Sequence, residues 1–185
     1  HEQIKSACGN GDLFGAKLTY IRQKAPLGIA HGVKIAQPFI GDEKFILFLG
    51  DNFVRDGIVS LARQFQEGTM NSLIVLSQVA NPQDFGVAKC VDGRVIGVVE
   101  KPKDPPSNWA VTGIYMFDHN IFEAVNNLVP SARGELEITE AIQYLIDHNY
   151  DVEPHFLNSH WVDTGKREDI LEANRVVLEV IEPRI

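Results

Sequence analysis

A chain of 185 residues is long enough for one domain with a substantial core, and 44% hydrophobic with 23% charged residues is the balance of an ordinary globular protein. The formal net charge of -8 excludes a protein that wraps nucleic acid, which needs clustered Lys and Arg. No apolar run approaches the roughly 20 residues that span a bilayer, and no basic-then-apolar leader is present, so the expectation is a soluble, cytoplasmic protein without a membrane partner.

In chain order, residues 17–23 (KLTYIRQ) are rich in β-branched and aromatic side chains and predict a strand. After Pro26 and Gly28, the spacing of Ile29, Val33 and Ala36 predicts a helix. Residues 45–49 (FILFL) form an uninterrupted apolar run that ends in Gly50-Asp51-Asn52, as expected of a strand buried on both faces. A helix near residues 58–67 and a second apolar strand over 72–79 (SLIVLSQV) follow. This alternation predicts an α/β fold, Rossmann-like, with a mixed, mainly parallel sheet flanked by helices. The segments GVAKCV and RVIGVVEK flank Asp92-Gly93, a hairpin signal, and insert an antiparallel portion.

A further strand over 110–117 precedes a helix beginning near Asp118. Over 136–149, Ile138, Ala141, Ile142, Leu145 and Ile146 fall on one helical face. A strand over 152–157 leads through Trp161-Val162-Asp163-Thr164-Gly165 into a last helix, with Ile170, Ala173, Val177 and Ile181 on one side and Pro183 as its stop. The prolines of KPKDPPSN (101–108) imply an extended surface loop. Cys8 and Cys90 lack CxxC spacing and read as unpaired, partly buried thiols in a reducing compartment.

Ligands of open α/β sheets collect at the carboxyl ends of strands, which makes Asp51 a candidate Mg²⁺ ligand or, equally, a cap of the turn that follows. Asp163 lies in a strand-to-helix junction, as a second ligand or a purely structural residue whose neighbour Thr164 caps the helix. Lys101 can pair with a phosphate and Glu100 with sugar hydroxyls, or both can form an ordinary surface pair. His31 reads as a partly buried polar residue, and His148, His155 and His160 lack metal-ligand spacing.

QKAPLGIAHGV, FLGDN, DFGVAKC, EKPKDPPSNWAVTGIYMFD, GELEITEAI and WVDTGKREDILEAN, in that order, resemble the glucose-1-phosphate thymidylyltransferases and, more broadly, the nucleoside-diphosphate-sugar pyrophosphorylases. The resemblance runs through essentially the whole chain. It implies an enzyme that joins a nucleoside triphosphate, dTTP or UTP, to a sugar 1-phosphate such as glucose 1-phosphate, with release of pyrophosphate. It places Gln23 and Gly28 at the nucleotide base, Asp51 and Asp163 at Mg²⁺, and Lys101 at the sugar phosphate. Gly86, Glu100, Val111 and Tyr115 fall on the sugar pocket, with Trp161 beside the second metal ligand. Homo-oligomers are common in such a family.

The pattern is incomplete at its front. No GxGTRL loop followed by Pro-Lys is present, so residues 1–185 are expected to be part of a catalytic domain that alone binds triphosphate poorly and turns over slowly. The closing ANRVVLEVIEPRI resembles the linker into a C-terminal left-handed β-helix. Two rival readings stand beside this one: a metal-dependent glycosyltransferase, which would want DxD where this chain has GDN, and an inactive regulatory relative.

Overall fold

A computed structural model describes residues 2–179 and Ile181. Its elements are α1 (Glu2–Cys8), α2 (Ile29–Ile40), β1 (Phe45–Phe48), β2 (Asn52–Val54), α3 (Val59–Glu67), β3 (Ser72–Gln78), β4 (Gly86–Val91), β5 (Arg94–Glu100) and β6 (Trp109–Phe117). They continue with α4 (Ile121–Asn127), α5 (Ile138–Asp147), β7 (Val152–Phe156), β8 (Trp161–Asp163) and α6 (Arg167–Leu178).

The main sheet runs β5-β4-β6-β3-β7, with β1 also on β6. Strand β6 organises it. One edge pairs with β3 along its length, while the other is shared, Ala110 facing Val87 of β4 and Ile114 to Phe117 facing β1. Successive side chains of a strand point to opposite faces, and both faces are covered. Ile74 and Leu76 of β3, with Tyr115 and Phe117 of β6, pack with α2, α4 and α5. Leu73 and Val75, with Ile114 and Met116, pack against Leu61 and Phe65 of α3. This two-sided burial explains why β3 and β6 read as continuous apolar runs.

The expected mixed α/β architecture is present, with one correction of emphasis. Among the described residues only β3–β7 is parallel, and the other pairings are antiparallel. The β4–β5 hairpin returns the chain so that β6 enters between β3 and β1 against the direction of both. The parallel neighbour β7 contains Pro154, and Leu157 just beyond it still donates to Leu76 O at 2.8 Å.

Other expectations shift. Residues 17–23 form no strand; they join neither sheet, and their neighbours are local, with Leu18 N–H on Asn10 O at 3.0 Å and Tyr20 Oη on Gly9 O at 2.7 Å. β-Branching favours an extended backbone but does not supply a ladder. Helix α4 starts at Ile121 because Asp118 turns back to accept the Asn120 N–H at 2.9 Å. Helix α5 buries Ile138, Ala141, Ile142 and Leu145 as expected, and the chain leaves it through Asn149 in the left-handed region at φ 60°. Helix α6 turns Val176 inward at 1% exposure, while Ile170 and Ile181 are exposed. The Pro183 stop lies outside the described residues. No helix among the described residues is long and apolar enough to cross a membrane. Cys8 and Cys90 are free and half-buried, as expected.

Candidate active site

Two short strands that periodicity does not reveal bring the distant carboxylates together. β2 pairs antiparallel with β8, Asn52 opposite Asp163. Thr164 locks the crossing, its N–H and its Oγ1 both donating to Asp51 O at 2.7 Å. Asp51 and Asp163 thus end on the same side of one ribbon, at the mouth of a cavity of about 260 Å³. Burial, and after it the charge of Asp51, raise the Asp163 carboxyl above its ordinary pKa, which places the two groups within electrostatic reach.

The cavity floor comes from the main sheet. Gly86 lies opposite Glu100 in the β4–β5 register, and Val111, Gly113 and Tyr115 lie along β6. A Cβ at Gly86 would come within 2.5 Å of Thr139 Cγ2 and 3.4 Å of Glu100 Oε2, so the bare backbone keeps this wall open. Glu100 accepts from Thr139 Oγ1 at 3.0 Å and from Arg133 Nη2 at 3.1 Å. Lys101 follows with φ 39°, left-handed backbone that a lysine seldom adopts, held by its N–H on Phe85 O at 3.0 Å. Such strain at the rim of a cavity marks a candidate site. Tyr115 is buried to 4% exposure; burial, then Glu100, push its hydroxyl pKa up, so it stays a neutral phenol.

Of the residues singled out from sequence, Asp51, Gly86, Glu100, Lys101, Val111, Tyr115, Trp161 and Asp163 all line this one cavity. Gln23 and Gly28 do not. Gln23 Nε2 instead donates to Gly28 O at 3.1 Å and meets His31 Nδ1 at 3.0 Å. They are joined to the site through Ile29, the first residue of α2, which lines the cavity. Gly28 holds φ 97° where a Cβ would press on the Leu136 backbone; Leu27 O accepts from the Leu136 N–H and Leu136 O from the Ala30 N–H, tying this corner to the start of α5.

Sequence reasoning missed Asn52, Thr139, Arg133 and Glu137. The Arg133 guanidinium is gripped by Glu137, Nε on Oε1 at 3.1 Å and Nη2 on Oε2 at 2.7 Å, while Ser131 Oγ also donates to Oε1 at 2.7 Å. Burial works to raise the Glu137 carboxyl, yet the Arg133 and Ser131 hydrogen bonds outweigh it and hold the group below the usual range. The signal available was a lone arginine beside GELEIT. Trp161 stands edge-on to Phe85 with ring centroids 5.6 Å apart, forming the opposite wall.

The lining carries Asp51, Asp84, Glu100, Glu135, Glu137 and Asp163 against the cations Lys101 and Arg133. A cavity so rich in carboxylate takes an anionic ligand only with added positive charge. Asp51 and Asp163 fit a hard divalent cation, because each spends one oxygen on a local donor, Asn52 Nδ2 at 3.0 Å and Gly165 N at 3.1 Å, and keeps the other for coordination.

Comparison with known proteins gives the same direction. The family model described as nucleotidyl transferase matches residues 1–180. The chain is 48% identical over 185 residues to a glucose-1-phosphate thymidylyltransferase of Streptomyces antibioticus, covering 99% of this chain and 52% of that protein. It is 46% identical over 179 residues to the low-salt glycan biosynthesis nucleotidyltransferase Agl11 of Haloferax volcanii, covering 96% and 50%. The chain therefore spans about half the length of these curated relatives. A solved structure assigned to a glucose-1-phosphate thymidylyltransferase of Bacillus anthracis, in complex with sucrose, superposes with a TM-score of 0.87 at 32% identity, over 99% of this chain and 74% of that one.

Proposed function

The chain belongs to the nucleotidyl transferase family, and from that premise we propose that its protein joins dTTP to glucose 1-phosphate, releasing pyrophosphate. The observation that carries this reading is the convergence of Asp51 and Asp163 on the cavity that also holds Glu100, Lys101 and Tyr115. A phosphate oxygen of the sugar 1-phosphate forms a bond to the α-phosphorus of the triphosphate, and the bond from that phosphorus to the bridging oxygen of the leaving pyrophosphate breaks. The protein's contribution is placement and charge balance. Asp51 and Asp163 would hold Mg²⁺, whose charge offsets that of the phosphates. Lys101 and Arg133 face the sugar phosphate, and Glu100 offers an acceptor to a sugar hydroxyl, as does the Thr139 hydroxyl oxygen, whose one proton is held by Glu100. Gln23, next to Gly28, would meet the edge of a pyrimidine only by releasing the Nε2 hydrogen bonds it makes to Gly28 O and His31 Nδ1.

The sequence identity to thymidylyltransferases favours dTTP over UTP, which differs by the C5 methyl of the base, worth only about 1–3 kcal/mol in a pocket, and by the 2′-hydroxyl of the sugar. The glycosyltransferase alternative lacks its DxD, because two residues beyond Asp51 stands Phe53 and two residues before it stands Leu49. The deciding experiment, on the whole protein rather than on residues 1–185 alone, measures pyrophosphate release from four triphosphates with several sugar 1-phosphates, alongside sugar transfer from nucleotide sugars. Release with dTTP and glucose 1-phosphate is expected; glycosyl transfer without pyrophosphate release overturns the reading.

A sharper test of the sugar pocket is Gly86→Ala. The added methyl crowds Thr139 and Glu100, and such overpacking costs about 1–3 kcal/mol, so glucose 1-phosphate affinity by calorimetry is expected to fall about tenfold or more. Unchanged affinity would remove Gly86 from the pocket.

A further inference from the structure

Asn52 is placed where four parts of the site meet. Its Oδ1 accepts two hydrogen bonds, from the Gly113 N–H of β6 at 2.9 Å and from the Trp161 indole N–H of β8 at 2.7 Å. Both partners are donors only, so the amide cannot be reversed without setting its NH₂ against them. The orientation that remains sends Nδ2 to Asp51 Oδ1 at 3.0 Å. Across the ribbon, Asn52 faces Asp163 in the ladder. Gly113 makes this possible, since a Cβ there would collide with the Asn52 amide.

Resting on the cation-dependent reading above, we propose that Asn52 is a positioning residue that fixes the Asp51 carboxylate for a divalent cation and couples it to the Trp161 wall of the sugar pocket. Its NH₂ occupies Asp51 Oδ1, so that Oδ2 is the atom presented for coordination. On the other strand the Gly165 N–H does the same for Asp163 Oδ1. The two carboxylates are therefore each offered through one oxygen, from opposite strands, with their rotation restrained before any cation arrives. Aspartate at position 52 could still accept from Gly113 and Trp161, but it would lose the donor to Asp51 and set a third negative charge beside Asp51 and Asp163. The choice of amide is thus a functional one. Residues that orient metal ligands typically affect affinity by about 10–100-fold.

The test uses the 185-residue chain and Mn²⁺ as probe, with the free ion followed by electron paramagnetic resonance and Trp161 fluorescence read in a Trp109→Phe background. Near-UV circular dichroism checks that each variant is folded. Asn52→Ala is expected to weaken Mn²⁺ binding about tenfold. Gly113→Ala, which leaves every ligand and donor in place but crowds the amide, is expected to weaken it in the same direction and to shift Trp161 emission. In an Asp51→Ala background, Asn52→Ala is expected to cost nothing further. Wild-type affinity in Asn52→Ala, or an equal loss with and without Asp51, overturns the positioning role. If Asp51→Ala and Asp163→Ala each bind Mn²⁺ as tightly as the unaltered chain, the cation reading itself is wrong and the proposal falls with it.

Discussion

Asp163→Asn is expected to lower pyrophosphate release by about a hundredfold, the scale on which loss of a metal-held charge acts on a phosphoryl transfer, and yet to make the ligand-free protein melt at a higher temperature near pH 7. Both effects come from the same placement. The half-buried Asp163 carboxyl is raised by burial first and by Asp51 second. A carboxyl with a raised folded pKa contributes stability that is fully present below its unfolded pKa and is lost as pH rises through the folded value. At neutral pH the unaltered protein therefore carries the cost of keeping it ionised; the amide does not, and it still accepts from the Gly165 N–H. The gain in melting temperature should shrink as the pH drops through the carboxylate range. Added Mg²⁺ should stabilise the unaltered protein more than the variant, by binding the folded state. A variant that melts lower than the parent at pH 7, by an amount independent of pH, would contradict this account.

The largest effect on stability is expected at Phe117. This side chain is 0% exposed, stacks on Tyr115 with centroids 5.9 Å apart and meets Phe45 at 5.9 Å across the β1–β6 ladder. It is also opposite Ser72, so it anchors the point where β1 and β3 both hold β6. Truncating a fully buried phenylalanine leaves a void that surrounding strands cannot fill, at about 3–5 kcal/mol, a large part of the total stability of a domain. Urea unfolding of Phe117→Ala should show a lower midpoint with an unchanged slope. Because Tyr115 lines the cavity and leans on Phe117, sugar-phosphate affinity should also drop. Phe39→Ala is the control: Phe39 is 64% exposed, and its loss should stay within about 0.5 kcal/mol. Equal destabilisation by the two would place the core elsewhere.

The sequence reading was most successful where periodicity is long. The apolar runs of β3 and β6 and the i, i+3, i+4 face of α5 each extend over enough residues to declare their burial, and the hairpin was declared by Asp92-Gly93. Direction is less legible, since an apolar strand reads alike whichever way its neighbour runs; hence the antiparallel weight of the sheet is a property of the pairings and not of the runs themselves. The strand expected over 17–23 failed because propensity is local and a ladder needs a partner. The cavity residues were located through motif resemblance, whereas Asn52 and Arg133 escaped it. Asn52 is not legible from its neighbours in sequence because its donors, Gly113 and Trp161, come from β6 and β8. Arg133 depends on Glu100 across the cavity and on Glu137 within its own loop, contacts that spacing alone does not encode.

The ribbon of β2 and β8 also ties the site to long-range topology. Asp51 and Asp163 lie far apart in the chain, and pairing their strands is a non-local closure that carries a large loop entropy cost. A chain in which that pairing is absent holds the two carboxylates apart, so the cation site proposed for them exists only with the ribbon closed. Were the proposed cation bound, its uptake would read out whether this distant pair of strands is closed.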